Sequence, residues 1–289
     1  HNQGYAAGVA AAMAVRAGCT PRRIAVQALQ KHLVEIGNLP ENVLTDRDSF
    51  PLPDSLVQAA VRDYADVTRS RTTRCQALAL LLTHANVARA PLKQAFAVAT
   101  GEARLDCAKV LGCLGEREVV PTLVARLQEI TAWDAKIDQG VMAEYAHLPT
   151  PIDALILALG GTRDRRALPA LLEKLDTLDA EVTLSHHRSL ALALEQLADP
   201  AAAEPLARLL NKPGLRGHVM KSLEPLVDKP APKRRRLGPL REIVLARALY
   251  RCGDWQGLAE QILKEYQQDI RGVFARHAGA VLTTGKGHD

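Results

Sequence analysis

From about residue 53 to residue 283, apolar residues recur in one order around five short polar junctions. These are "LLTHANVARAPLKQ", "VLGCLGEREVVPTLVARL", "ALGGTRDRRALPALLEKL", "ALEQLADPAAAEPLARLL" and "ALYRCGDWQGLAEQIL". Each reads as the end of one helix and the start of another, centred on Asn86, Glu116, Asp164, Asp199 or Asp254. Five residues before the centre stands a leucine every time: Leu81, Leu111, Leu159, Leu194 and Leu249. Eight before come Leu78, Ala108, Ile156, Ala191 and Ala246, and nine before come Ala77, Cys107, Leu155, Leu190 and Leu245. These three positions share one face of an α-helix. Four residues after the centre stand Ala90, Val120, Leu168, Ala203 and Leu258. The middle copies continue with Leu123, Leu171 and Leu206, then Leu127, Leu175 and Leu210. The outer copies carry Lys93 and Gln261 where the middle ones have the first of these leucines, as terminal repeats facing solvent would.

Pro121, Pro169 and Pro205 fall near the start of the second helix, where a missing N–H costs nothing. The recurring carboxylates Glu116, Asp164 and Asp199 stand where a side-chain oxygen can cap that helix. The junctions are 30, 48, 35 and 55 residues apart, and the two long intervals hold insertions, "TAWDAKIDQGVMAEYAHLPT" and "DKPAPKRRRLGP". The segments "LGEREVVPTLVARL" and "LADPAAAEPLARLL" resemble HEAT-type repeats. Such helix pairs cannot bury their apolar faces alone, so the resemblance implies a stack, an α-solenoid. It implies architecture and no particular chemistry.

The first fifty residues follow a different pattern. "GYAAGVAAAMAVRAG" predicts a helix of small residues from about Gly4 to Ala17, stopped by Gly18. "PRRIAVQALQKHLVEIG" predicts a second helix with Thr20 as N-cap, Pro21 in its first turn and Gly37 at its end. Val26, Leu29, Leu33 and Ile36 form its apolar face. The two segments in this order resemble the C-terminal end of FAD-dependent oxidoreductases with the two-dinucleotide-binding-type flavin fold. Members often finish with a "GxAAGxAAAxAVxxG" helix and then a "PRxIDVxxLQxxL" helix. Ala25 departs from the acidic residue common at its position.

The resemblance implies that Asn2, Gln3, Gly4, Tyr5 and Ala6 lie nearest a flavin, as cofactor-binding residues of a longer parent protein. A helix N-terminus offers free N–H groups and partial positive charge, and small residues let backbone approach a flat ligand. A dinucleotide site also needs a strand–turn–helix with GxGxxG, which this sequence lacks. FAD is therefore expected in the parent and no cofactor in this chain alone. A plain Ala-rich helix packed on the first repeat pair is the competing reading, since Ala is the strongest helix former.

The fold class expected is all-α: a HEAT-like α-solenoid of stacked helix pairs with a short N-terminal helical remnant of a flavin-binding domain. The expected domains are residues 1–50 and 51–289. Composition agrees with helices, for the chain is 47% hydrophobic but only 3% aromatic, so its apolar residues are mostly Ala, Leu and Val. Cys19, Cys75, Cys107, Cys113 and Cys252 show no CxxC spacing; an odd count without a framework favours a reducing compartment. No stretch is long and apolar enough to span a membrane.

The net charge of +5 is mildly basic, and its sharpest cluster is Lys233, Arg234, Arg235 and Arg236 in "KPAPKRRRLGPLR". This loop is a possible anion or partner patch, against the plainer reading of a solvated insertion. Few aromatic residues accompany it, which argues against nucleic acid. His186 and His187 are adjacent and point about 100° apart on a helix, so they do not chelate as an i, i+4 pair would; they read as a surface or partly packed pair. No Ser-His-Asp, HExxH or paired-carboxylate site is readable, and no catalytic or metal residue is expected.

The reading that follows is a non-catalytic helical-repeat region attached to a flavin-dependent oxidoreductase parent, docking a protein partner or the parent's own N-terminal domain. Its rival is a free-standing protein-binding scaffold unrelated to flavin. A third reading, nucleic-acid binding through residues 233–236, has the least support.

Overall fold

The computed structural model describes residues 2–46, 50–134, 149–223 and 237–285. Among them every regular element is helical and there is no strand. The chain divides into two compact units, His1–Leu52 and Pro53–Asp289.

The first unit holds α1 (Asn2–Arg16) and α2 (Val26–Glu35), with 3-10 turns at Pro21–Arg23 and Glu41–Leu44. Gly18 and Gly37 follow the two helices with φ of +60° and +74°, the left-handed conformation that ends a helix cheaply only at glycine. The second helix is shorter than its sequence predicts. Thr20 makes no side-chain cap, the Pro21 turn stays 3-10, and Ile24 is extended, so α2 begins only at Val26. That leaves Val26 in a first turn and Ile36 beyond the last one. Both are exposed, and of the predicted apolar face only Leu33 is fully buried.

The second unit is a stack of helix pairs. It opens with α3 (Asp54–Ala65), α4 (Arg71–Thr83) and α5 (Ala85–Val98). Four pairs follow: α6 (Gly101–Cys113) with α7 (Val120–Glu129), α8 (Pro151–Gly161) with α9 (Leu168–Asp176), α10 (Leu184–Leu197) with α11 (Ala203–Leu210), and α12 (Leu237–Arg251) with α13 (Leu258–Tyr266). α14 (Gly272–Thr284) packs on α13. The first helices α6, α8, α10 and α12 pack side by side in one layer, and the second helices form the other.

The repeat pattern is the core. All five leucines that precede the junctions are fully buried, as are the six leucines of the middle second helices. Asp164 and Asp199 each accept a hydrogen bond from the amide two residues on, at 3.0 and 2.9 Å, and so open a 3-10 turn that leads into the second helix. Asp254 accepts amides of Trp255, Ala259 and Glu260 at 2.8, 2.8 and 3.2 Å. Glu116 instead makes no cap; it pairs with Arg89 and Lys93 of α5, tying one repeat to the next.

The first copy departs from the pattern. A single residue, His84, joins α4 to α5, with no 3-10 turn between them. The core positions of α5 therefore come early, Ala88 by two residues and Leu92 and Phe96 by one, while Ala90 is exposed.

Glycine sets the spacing of the first-helix layer. A Cβ on Gly160 would stand 2.4 Å from Ala193 Cα, and one on Gly112 would stand 2.7 Å from the Ala158 carbonyl oxygen. The "GCLG" and "GG" glycines thus serve helix-to-helix contact.

Candidate functional site

The residues expected to face a flavin occupy the first turn of α1. Asn2 opens the helix, Gln3, Gly4 and Tyr5 are exposed, and Ala6 is half-buried. A Cβ added at Gly4 or Gly8 would meet nothing within 4 Å, so this small-residue face is open. Gly112 and Gly160 are packed against neighbouring helices. Lys233, Arg234, Arg235 and Arg236 lie outside the described residues.

The sequence reading of His186 and His187 is corrected. Both are fully buried, His186 against α8 and the edge of the first insertion and His187 against the loop that precedes α10. His186 Nδ1 lies 2.8 Å from Asp153 Oδ1 of α8, its Nε2 lies 3.3 Å from the Asp134 carbonyl oxygen, and Trp133 stacks on its ring at 4.5 Å between centroids. Asp153 is also the N3 residue of a capping box with Thr150, accepting the Thr150 amide at 2.9 Å. Burial pushes the Asp153 carboxyl up, but hydrogen bonds from His186 and the Thr150 amide outweigh it and hold the group below the usual range. The neighbouring Ser185 hydroxyl adds a small downward pull, although it makes no hydrogen bond of ordinary geometry.

His187 places its two ring nitrogens 3.1 and 2.9 Å from the carbonyl oxygens of Thr183 and Asp179. Burial pushes its pKa down to about 4, against those two carbonyls, so the ring is neutral at pH 7 and donates to one of them.

Asp153–His186 has the composition of an acid–base pair, yet its geometry is that of a clamp. The nitrogen that a general base would turn toward a substrate faces a main-chain oxygen, and neither side chain reaches solvent. Asp134 Oδ2 accepts the Ile152 amide at 2.9 Å, and Trp133 Nε1 donates to Thr177 Oγ1 at 3.0 Å. The cluster pins both described ends of the first insertion to α8, α9 and α10. One half was readable: "TPID" at 150–153 is a capping-box pattern. Its histidine partner, 33 residues on, carried no local signal.

Beside this clamp a cavity of about 220 Å³ opens across three first helices. Leu157 of α8, Ser185, Arg188, Ser189 and Leu192 of α10, and Val244 and Arg247 of α12 line it, with Pro149 at one end. Arg188 is exposed and forms no ion pair among the described residues. Arg247 Nε donates to Glu195 at 2.7 Å.

Burial pushes the Cys107 thiol up to about 11 and Cys252 to about 12, so neither is a nucleophile at neutral pH. The buried Glu242 carboxylate accepts the amides of Gly217 and His218 and the Tyr266 hydroxyl, fixing the loop after α11. Among the described residues no group of three His, Cys, Asp or Glu side chains could hold a metal, and no helix is long and apolar enough to cross a membrane.

One family model matches, the PBS lyase HEAT-like repeat, at residues 153–177 and 187–212. These two blocks cover most of the α8/α9 and α10/α11 pairs, so a HEAT-like repeat is present in this part of the chain. No curated protein and no solved structure matches the chain.

Proposed function

We propose that the second unit is a protein-interaction scaffold and that the first unit is the closing helical segment of an FAD-dependent oxidoreductase to which the scaffold is joined. The scaffold half rests on the stacked HEAT-like pairs, whose buried polar groups hold loops and repeats together and present no reactive centre. The flavin half rests on the "GYAAGVAAAMAVRAG" and "PRRIAVQALQKHLVEIG" resemblance. The observation that carries it is the exposed first turn of α1, with open space over Gly4 and Gly8. Within the first unit no described residue covers those two glycines.

In the joined protein FAD would supply hydride transfer, while this chain would contribute only backbone. The first-turn N–H groups of α1, around Asn2, Gln3, Gly4, Tyr5 and Ala6, would face one edge of the flavin and favour negative charge there.

The test is to express the reading frame upstream of His1 together with this chain and measure bound flavin by absorbance. The joined protein is expected to retain flavin and this chain alone to retain none. Gly4→Leu with Gly8→Leu should release it without lowering helicity. An upstream frame with no GxGxxG strand–turn–helix, or flavin retention indifferent to both substitutions, overturns the flavin half and leaves the scaffold half standing.

A further inference from the structure

We infer that the groove across α8, α10 and α12 is a docking site for an acidic peptide segment of a partner protein, one that sets a carboxylate side chain beside an apolar one. This deepens the scaffold reading and rests on it.

The groove belongs to the repeat. Leu157, Leu192 and Arg247 each stand seven residues before their junction residue, in three successive first helices. At about 100° per residue this position lies on the helix face opposite the core positions five, eight and nine before the junction. On α10, Ser185, Arg188, Ser189 and Leu192 follow the spacing of a single helical stripe. The face is thus continuous from helix to helix and plays no part in the core pattern.

Size and chemistry select the occupant. A volume of about 220 Å³ is below the roughly 300–1,000 Å³ of pockets that enclose small molecules, so it suits one or two side chains of a longer ligand. Leu157, Leu192 and Val244 supply apolar surface for one of them. Among the described residues Arg188 forms no ion pair, Arg247 pairs with Glu195 at 2.7 Å, and no carboxylate lines the groove, so its described rim has excess positive charge. Guanidinium groups match carboxylates in charge and in planar geometry. The groove's lining includes no aromatic side chain on which a nucleobase could stack.

A random peptide library displayed on phage and selected against the intact chain tests this. The selected peptides are expected to carry Asp or Glu next to Leu, Ile or Phe. By fluorescence anisotropy, Arg188→Glu should weaken their binding by about tenfold or more. Leu192→Asp should weaken it similarly, and circular dichroism should show both variants folded, since each side chain reaches solvent. Peptides that bind both variants as well as the unaltered chain, or that lack acidic residues, overturn the groove while leaving an interaction scaffold. A library that yields no binder overturns the groove and the scaffold reading together.

Discussion

Asp153 of α8 and His187 of α10 are two acid-sensitive groups, and their signs can be worked out. A buried histidine with a folded pKa of about 4 and an ordinary value of 6.5 takes up its proton more readily in the unfolded chain. Between those two values the unfolded state binds more protons, so stability falls as pH falls from 6.5 toward 4. The full effect is on the order of 3 kcal/mol. Asp153 acts further down: its contribution is present above the ordinary carboxylate value of 3.8 and is lost as pH drops through its lowered folded pKa. Urea unfolding at pH 7.5 and pH 5 should therefore give a lower midpoint at pH 5. His187→Gln, which no longer titrates, should flatten that dependence even if it lowers stability overall; a His187→Gln protein with the same pH slope would refute the assignment. Gly160 raises a different residue-scale question, that of space. With Ala193 Cα at 2.4 Å from its missing Cβ, Gly160→Ala forces two first helices apart and should cost about 1–3 kcal/mol, read as a fall in thermal midpoint.

At the scale of the helix pair, the leucine five residues before each junction has the same task every time, filling the space between a first helix and its partner. Leu194→Ala is expected to cost about 2–5 kcal/mol, measured by denaturant unfolding, because the site is closed on all sides and cannot collapse fully. The adjoining junction offers a gain. Ala198 ends α10 with φ of +48°, a left-handed conformation that strains any residue with a Cβ. Ala198→Gly should recover about 1 kcal/mol of that strain, and a higher thermal midpoint checks it. This scale was the most legible in the sequence, since a leucine recurs at a fixed offset from each junction, with a carboxylate at four of the five and a proline five or six residues after three of them, and each has a local cause. Legibility failed where cause was not local. The slip of one to two residues after His84 follows from a junction too short for a 3-10 turn, and nothing in "LLTHANVARA" announces that. The burial of His186 depends on an aspartate one repeat earlier and on Trp133 at the edge of an insertion, so helical periodicity could not pair them.

At the scale of the whole molecule, the two units differ in how much of their apolar surface they close. The second unit has a continuous core from Val57 to Val281, running through every helix pair. Among the described residues of the first unit Ala14 and Leu33 are the fully buried apolar ones, while Tyr5, Val15, Val26, Ile36 and Leu44 are exposed. Burying a large apolar side chain contributes about 1.5–3 kcal/mol, so a unit of this size with one such residue, Leu33, fully buried among its described residues has little to set against the chain entropy of ordering. The second unit should accordingly fold by itself. Residues 53–289, expressed alone, are expected to show a cooperative denaturant transition with the midpoint of the full chain, whereas residues 1–52 alone should show none. Hydrogen exchange on the full chain gives the same answer residue by residue: amides of α8, α10 and α12 should be the slowest and those of α1 and α2 among the fastest. If α1 and α2 instead exchange as slowly as α10, the first unit has a stabilising partner within this chain, and the exposed turn at Gly4 would no longer argue for a flavin.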